Sequence, residues 1–181
     1  MPNIFDTMKG RFLRIIFLLF IPILIIVLAS NSSDPNIKSP LYKLLLDGLL
    51  SHEIEEMSVK DANTSLDSML VYDTRSKEEY EISHIPGASW IGYEAFDIEK
   101  LRNIPREKKI LVYCSVGYRS EKVGMQLKEA GYENVHNLYG GIFEWVNQGN
   151  KIQTPKGEDT DKLHAYNRIW GVWTSASEKV Y

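Results

Sequence analysis

Cys114 is the lone cysteine among the 181 residues and opens the run Cys-Ser-Val-Gly-Tyr-Arg, 114–119. It directly follows Lys109–Tyr113 (KILVY), an apolar run that reads as a buried strand, and Arg119 begins an amphipathic stretch that reads as a helix. A thiol at that junction lies where ligands bind, beyond the carboxyl end of a parallel strand. The five residues after it can turn backbone N–H groups inward on an anion, and Gly117 permits the tight curvature. The positive end of the helix and the forked, permanently charged Arg119 reinforce such a site. Surroundings of this kind favour thiolate over thiol, so the expected chemistry is nucleophilic attack by sulfur inside an anion cradle. Taken on position alone, a small buried structural cysteine is the competing reading. A structural cysteine needs neither the glycine three residues on nor the arginine five residues on.

Composition narrows the alternatives. One cysteine excludes an internal disulfide framework and any multi-cysteine zinc site. His52, His136 and His164 are far apart and show no metal-ligand spacing, so neither metal nor cofactor is expected. With 21 basic against 24 acidic residues, net charge -3 and a pI near 5.8, the chain is no candidate for nucleic-acid binding by phosphate neutralisation. The charge is uneven. Lys9, Arg11 and Arg14 against Asp6 give residues 1–30 a net +2, leaving -5 for the rest. Arg14 is followed by 15 uninterrupted apolar residues, Ile15–Ala29, and then by small ones. That layout is a signal peptide with cleavage before Ser30, or an uncleaved anchor over residues 12–29 if Arg14 snorkels. Both readings export the domain, to a periplasmic or other extracytoplasmic location.

The elements that must position the cysteine follow from pattern. Residues 30–40 are polar and Pro-punctuated, a linker. Leu41, Leu44, Leu45 and Leu49 have helical spacing, with Ser39 as N-cap and Pro40 at the first helical position, and that leucine stripe is expected to dock on the main domain. Beyond it, apolar and amphipathic runs alternate. Strands are expected over Met57–Val59, Met69–Tyr72, Ala88–Ile91, Lys109–Tyr113 and Val135–Leu138. Helices are expected over Lys60–Leu66, Lys77–Ile82, Tyr93–Leu101, Arg119–Ala130 and Gly141–Asn147. Such alternation predicts an α/β fold, a parallel sheet with helices on both faces. Residues 31–56 form a linker and amphipathic helix, 57–153 the domain, and 154–181 an aromatic-rich tail. In that tail TPKGEDTDK reads as a linker, and Tyr166, Trp170 and Trp173 are expected to pack back on the domain as a brace, with a protein partner or a narrowed substrate entrance as the functional option.

Two segments resemble the single-domain rhodaneses, which are sulfurtransferases. One is VYDTRSKEEYEISHIPGA, Val71–Ala88, similar to the family's D-x-R…E-Y…G-H-I-P-G-A stretch, with Ser83 where the family often has Gly. The other is KILVYCSVGYRS followed by EAGYENVHNLYGGIFEW, similar to the family's active loop, its helix and its G-G-x-x-x-W ending. The resemblance implies a rhodanese-like fold and a double displacement. Cys114 would take the sulfane sulfur of thiosulfate or a persulfide donor, then pass it to a thiol or cyanide. It also implies substrate binding by Ser115, Val116, Gly117, Tyr118, Arg119 and Ser120. Arg119 follows after four residues rather than the five of cysteine phosphatases, which argues against phosphate as substrate.

Within the same segments, Asp73 and Arg75 are expected as a pair fixing a strand end, with substrate contact as the minor option. His84 is expected to anchor the turn into Pro86 and Gly87 rather than serve as a base. Gly140 and Gly141 read as a tight turn, and Trp145 as core. A non-catalytic binding or sulfur-carrier module, or a redox sensor built on Cys114, are the alternative functions.

Overall fold

In the structure, a computed structural model, residues 37–181 are described. The expected export segment lies outside them. Among the described residues no helix is long and apolar enough to cross a membrane.

Five short strands make one sheet: β1 (Glu55–Met57), β2 (Leu70–Asp73), β3 (Ser89–Trp90), β4 (Ile110–Tyr113) and β5 (Val135–Leu138). Their spatial order is β1-β5-β4-β2-β3, and every pairing is parallel. The central strand β4 is buried at all four positions, as a strand covered on both faces must be. Two apolar clusters form the covers: one includes Leu111, Tyr113, Leu138 and Phe143, the other Ile110, Val112, Val123 and Leu127. The alternating side chains of β4 therefore feed opposite layers.

The helices are α1 (Pro40–Leu49), α2 (Val59–Ser65), α3 (Lys77–Ile82), α4 (Tyr118–Glu129) and α5 (Gly141–Asn147). Ser39 caps α1 by accepting from the Tyr42 N–H. Ser76 and Glu79 form a reciprocal capping box on α3. α1 is rotated from expectation. Its buried face is Tyr42, Leu46 and, just past its end, Leu50, while Leu41 and Leu44 are 56% and 66% exposed. The Tyr42 hydroxyl donates to Gly140 O at 2.8 Å and its ring stacks on Trp173, which fixes that orientation.

Three other expectations are corrected. The first strand lies at Glu55–Met57, because Ser58 caps α2 instead of continuing the strand. Tyr93–Leu101 holds only a 3-10 turn, Ile98–Leu101, since the Asp97 carboxylate accepts from the Glu99 N–H and starts a fresh turn mid-segment. The stretch read as a linker after residue 153 is a hairpin, β6 (Ile152–Gln153) with β7 (Asp159–Thr160), turned at Gly157 with φ +80°. The tail continues as β8 (Lys162–His164), a 3-10 turn at Trp170–Trp173, and β9 (Glu178–Val180), which pairs in parallel with β8. Leu163, Ala165 and Ala176 are buried and Trp170 and Trp173 pack half-buried on the core as the expected brace, but Tyr166 is 50% exposed and does not join them.

Candidate active site

β4 delivers Cys114 to the carboxyl edge of the sheet, and α4 starts at Tyr118 after Gly117 as its N-cap. Gly117 has φ +116°, a conformation that a side chain would strain, and this lets the loop reverse within three residues of the thiol. The Gly117 N–H donates to Cys114 Sγ at 3.1 Å.

The loop's carbonyls are tied down behind it. Cys114 O accepts from the Ile142 N–H (2.9 Å) and Ser115 O from the Phe143 N–H (3.1 Å), both in the first turn of α5. Gly117 O accepts from Asn137 Nδ2 at 3.0 Å and from the Glu121 N–H at 3.0 Å. In a planar trans peptide the N–H opposes the C=O. The N–H groups of Ser115, Val116 and Tyr118 therefore point away from these anchors. Gly141 makes the close approach possible: a Cβ there would lie 2.5 Å from Cys114 O and 2.6 Å from Ser115 O.

Arg119 is placed beside the loop, but its fork is engaged. Nη1 donates to Glu79 Oε2 (2.7 Å) and Nη2 to Glu79 Oε1 (2.9 Å) and to Ser115 Oγ (2.9 Å). Ser115 Oγ in turn donates to Glu79 Oε1 at 3.0 Å. Burial alone would raise the Glu79 carboxyl, yet the hydrogen bonds and charge of Arg119, with Arg75 behind, hold it at about 2. Burial likewise works against the Arg119 guanidinium, and Glu79 outweighs it, pushing its pKa up. The pair is thus a neutral unit, and the cation expected to receive an anion is already matched.

Val116 and Tyr118 border the cleft above Cys114. Ser120 does not: it is fully buried, and its hydroxyl sits 2.7 Å from Asn137 Oδ1 and 3.1 Å from Gly117 O, behind the loop. Asp73 and Arg75 are wholly buried, with Nη2 to Oδ2 at 2.6 Å, and Arg75 Nη2 also donates to Ser83 O at 2.6 Å. They tie the end of β2 to the turn after α3. Burial would lower the Arg75 guanidinium, and the Asp73 charge reverses this. His84 stacks on Tyr80 and exchanges backbone hydrogen bonds with Gln153, so it anchors its turn. Burial holds its pKa below the ordinary value.

A cleft of about 800 Å³ opens over Cys114, walled by Trp90, Tyr93, Tyr118, Tyr166, Trp170 and Leu49. Glu79 and Asn137 are the participants that sequence reasoning did not single out, whereas Tyr166 and Trp170, expected as a brace with a narrowed substrate entrance as the functional option, line the cleft. Asn137 left a trace as an amide side chain inside the otherwise strand-like VHNL, and Glu79 as the glutamate of the E-Y pair within Val71–Ala88. No group of acidic residues, histidines or cysteines suited to a metal occurs among the described residues.

The sequence model of the rhodanese-like domain matches residues 53–148. The chain belongs to the rhodanese-like domain family. A sulfurtransferase of Allochromatium vinosum is 30% identical over 106 residues, which cover 59% of this chain and 98% of that protein. A tRNA uridine(34) hydroxylase of Hamiltonella defensa is 33% identical over 113 residues, 59% of this chain but 30% of the hydroxylase, so the chain spans under a third of that protein's length. The thiosulfate sulfurtransferase of Pseudomonas aeruginosa has a TM-score of 0.54 at 17% identity, over 73% of this chain and 26% of that one. The BH2092 protein of Bacillus halodurans gives 0.52 at 23%, over 65% and 86%. These structures share the rhodanese-like fold, a central parallel sheet flanked by helices. Within it the Cys114 loop and the α5 terminus belong to the matched domain, whereas α1 and the tail lie outside the matched residues.

Proposed function

We propose that this rhodanese-like domain is a sulfurtransferase that carries sulfane sulfur on Cys114. The Cys114 thiolate attacks the outer sulfur of thiosulfate, the S–S bond breaks, and sulfite departs with the electron pair, leaving Cys114–S–S⁻. A thiolate or cyanide then attacks the outer sulfur and Cys114 leaves as thiolate, so no external oxidant or reductant is required. The observation that carries this reading is the 3.1 Å hydrogen bond from the Gly117 N–H to Sγ, in a loop whose remaining N–H groups turn away from the α5 anchor. Fixed amide dipoles of that kind stabilise developing charge without reorganising. The net charge of -3 gives no support to a tRNA substrate.

Intact mass after thiosulfate treatment tests the proposal. Wild type is expected to gain about 32 Da, one sulfur atom, and to lose it on adding cyanide. Cys114→Ser is expected to gain nothing and to lack thiosulfate:cyanide activity. Absence of the adduct in wild type would leave a binding module as the better reading.

A further inference from the structure

The cleft over Cys114 is much larger than a small inorganic anion needs, since volumes of 300–1,000 Å³ characterise sites for drug-sized organic molecules, and this one is about 800 Å³. Its charges do not favour an anion. Arg119 is matched by Glu79, and the remaining charged lining, Arg75 and Lys77 against Glu78 and Glu94, carries no positive excess. What the walls supply instead is flat apolar area, from Trp90 and Tyr118 of the domain and from Tyr166 and Trp170 of the tail.

The tail residues are set there by specific contacts. His164 Nδ1 accepts from the Tyr166 N–H at 3.1 Å, which burial supports by disfavouring the charged imidazole. Tyr166 adopts φ +63°, uncommon for a tyrosine. The Arg119 guanidinium lies over its ring, 5.3 Å from the centroid, within range of a cation–π contact. The loop arginine thus ties together Glu79, Ser115 and the tail, and the tail residues come from beyond the matched domain, 53–148.

We propose that the cleft binds an organic thiol with an aromatic body as sulfur acceptor, in preference to a small polar thiol, and that Tyr166 and Trp170 determine this preference. The inference rests on the Cys114 persulfide reading. The acceptor enters as thiolate, having released its proton to solvent. It attacks the outer sulfur of the Cys114 persulfide, the Cys114 S–S bond breaks, and an organic persulfide leaves while Cys114 returns as thiolate. The aromatic body packs on the tail wall during that attack.

The test uses the full chain loaded with thiosulfate, with benzyl mercaptan and 2-mercaptoethanol as acceptors of comparable acidity. Wild type is expected to show about a tenfold higher kcat/KM for benzyl mercaptan, the size of effect that burying an aromatic body supports. Tyr166→Ala and, separately, Trp170→Ala are expected to collapse that ratio toward unity, and Ile169→Ser, 78% exposed and outside the cleft, to preserve it. Equal kcat/KM values on wild type overturn the proposal, as does a high ratio that both alanine variants retain. A wild type that gains no sulfur from thiosulfate instead overturns the persulfide reading, a result distinct from loss of the preference.

Discussion

Glu79 controls what the loop arginine can do. Its two oxygens accept from both terminal nitrogens of Arg119, so under the proposed function stabilisation of an anionic persulfide would fall to loop amides, with the guanidinium as a positioning group. Removing one partner of a buried pair leaves the other charge uncompensated, typically costing about 3 kcal/mol. Glu79→Gln is therefore expected to lower stability by about that amount in denaturant unfolding. The pair also predicts an acid dependence. The folded pKa of Glu79, about 2, lies below its ordinary 4.5. Between those values the unfolded chain binds more protons than the native one, so the contribution is full above 4.5 and disappears as pH falls toward 2. Wild type should lose more thermal stability than Glu79→Gln between about pH 6 and about pH 3. Parallel losses in the two proteins would show that the pair is not the acid-sensitive contact.

At the scale of elements, the Cys114 loop is held by the start of α5 as much as by β4. Gly141, φ +59°, has no room for a Cβ against two loop carbonyls. Gly141→Ala must push the Cys114–Ser115 peptides off α5 or distort the helix start, and overpacking of that kind costs about 1–3 kcal/mol. Its expected signature is a rate of sulfur loading, followed by mass, that falls by more than tenfold at a temperature where the variant remains folded. Loading at the wild-type rate would show that α5 does not set the loop. Much of this arrangement was legible in the chain. Val135–Leu138, Lys77–Ile82 and Gly141–Asn147 have the expected limits because caps and glycines mark them locally. The loop itself was readable from one strand, one glycine and one arginine. Glu79's grip on Arg119 was not, because 40 residues separate them and spacing carries no information about such a pair. The rotation of α1 was hidden for a similar reason: five leucines offer two apolar faces, and the choice is made by Tyr42 meeting Gly140 and Trp173. Hairpin and linker share the same polar, glycine-containing signature, so β6–β7 could not be told apart from a tether.

For the molecule as a whole, the matched domain ends at residue 148 but the core does not. Trp173 stacks on Tyr42 at a centroid distance of 5.6 Å, and its carbonyl accepts from Asn147 Nδ2 at 2.9 Å. Ser83 Oγ donates to Lys162 O at 2.6 Å, which ties β8 to the segment after α3. The tail thus touches α1, α3 and the end of α5, three elements that frame the cysteine loop. If it folds as one unit with them, a tail substitution must lower the midpoint of the whole domain. Trp173→Ala removes the stack on Tyr42 and leaves a void beside a buried ring, a change worth about 3 kcal/mol. For a chain of this length that corresponds to a Tm lower by about 10 °C. Ile169→Ser, on the same tail but exposed, should stay within about 0.5 kcal/mol of wild type. Both are read by thermal unfolding followed at far-UV and aromatic wavelengths. Coincident, shifted transitions for Trp173→Ala would mark a single cooperative unit. An early aromatic transition, with the far-UV midpoint unmoved, would mean that the tail opens independently and that its wall over Cys114 is a separable lid.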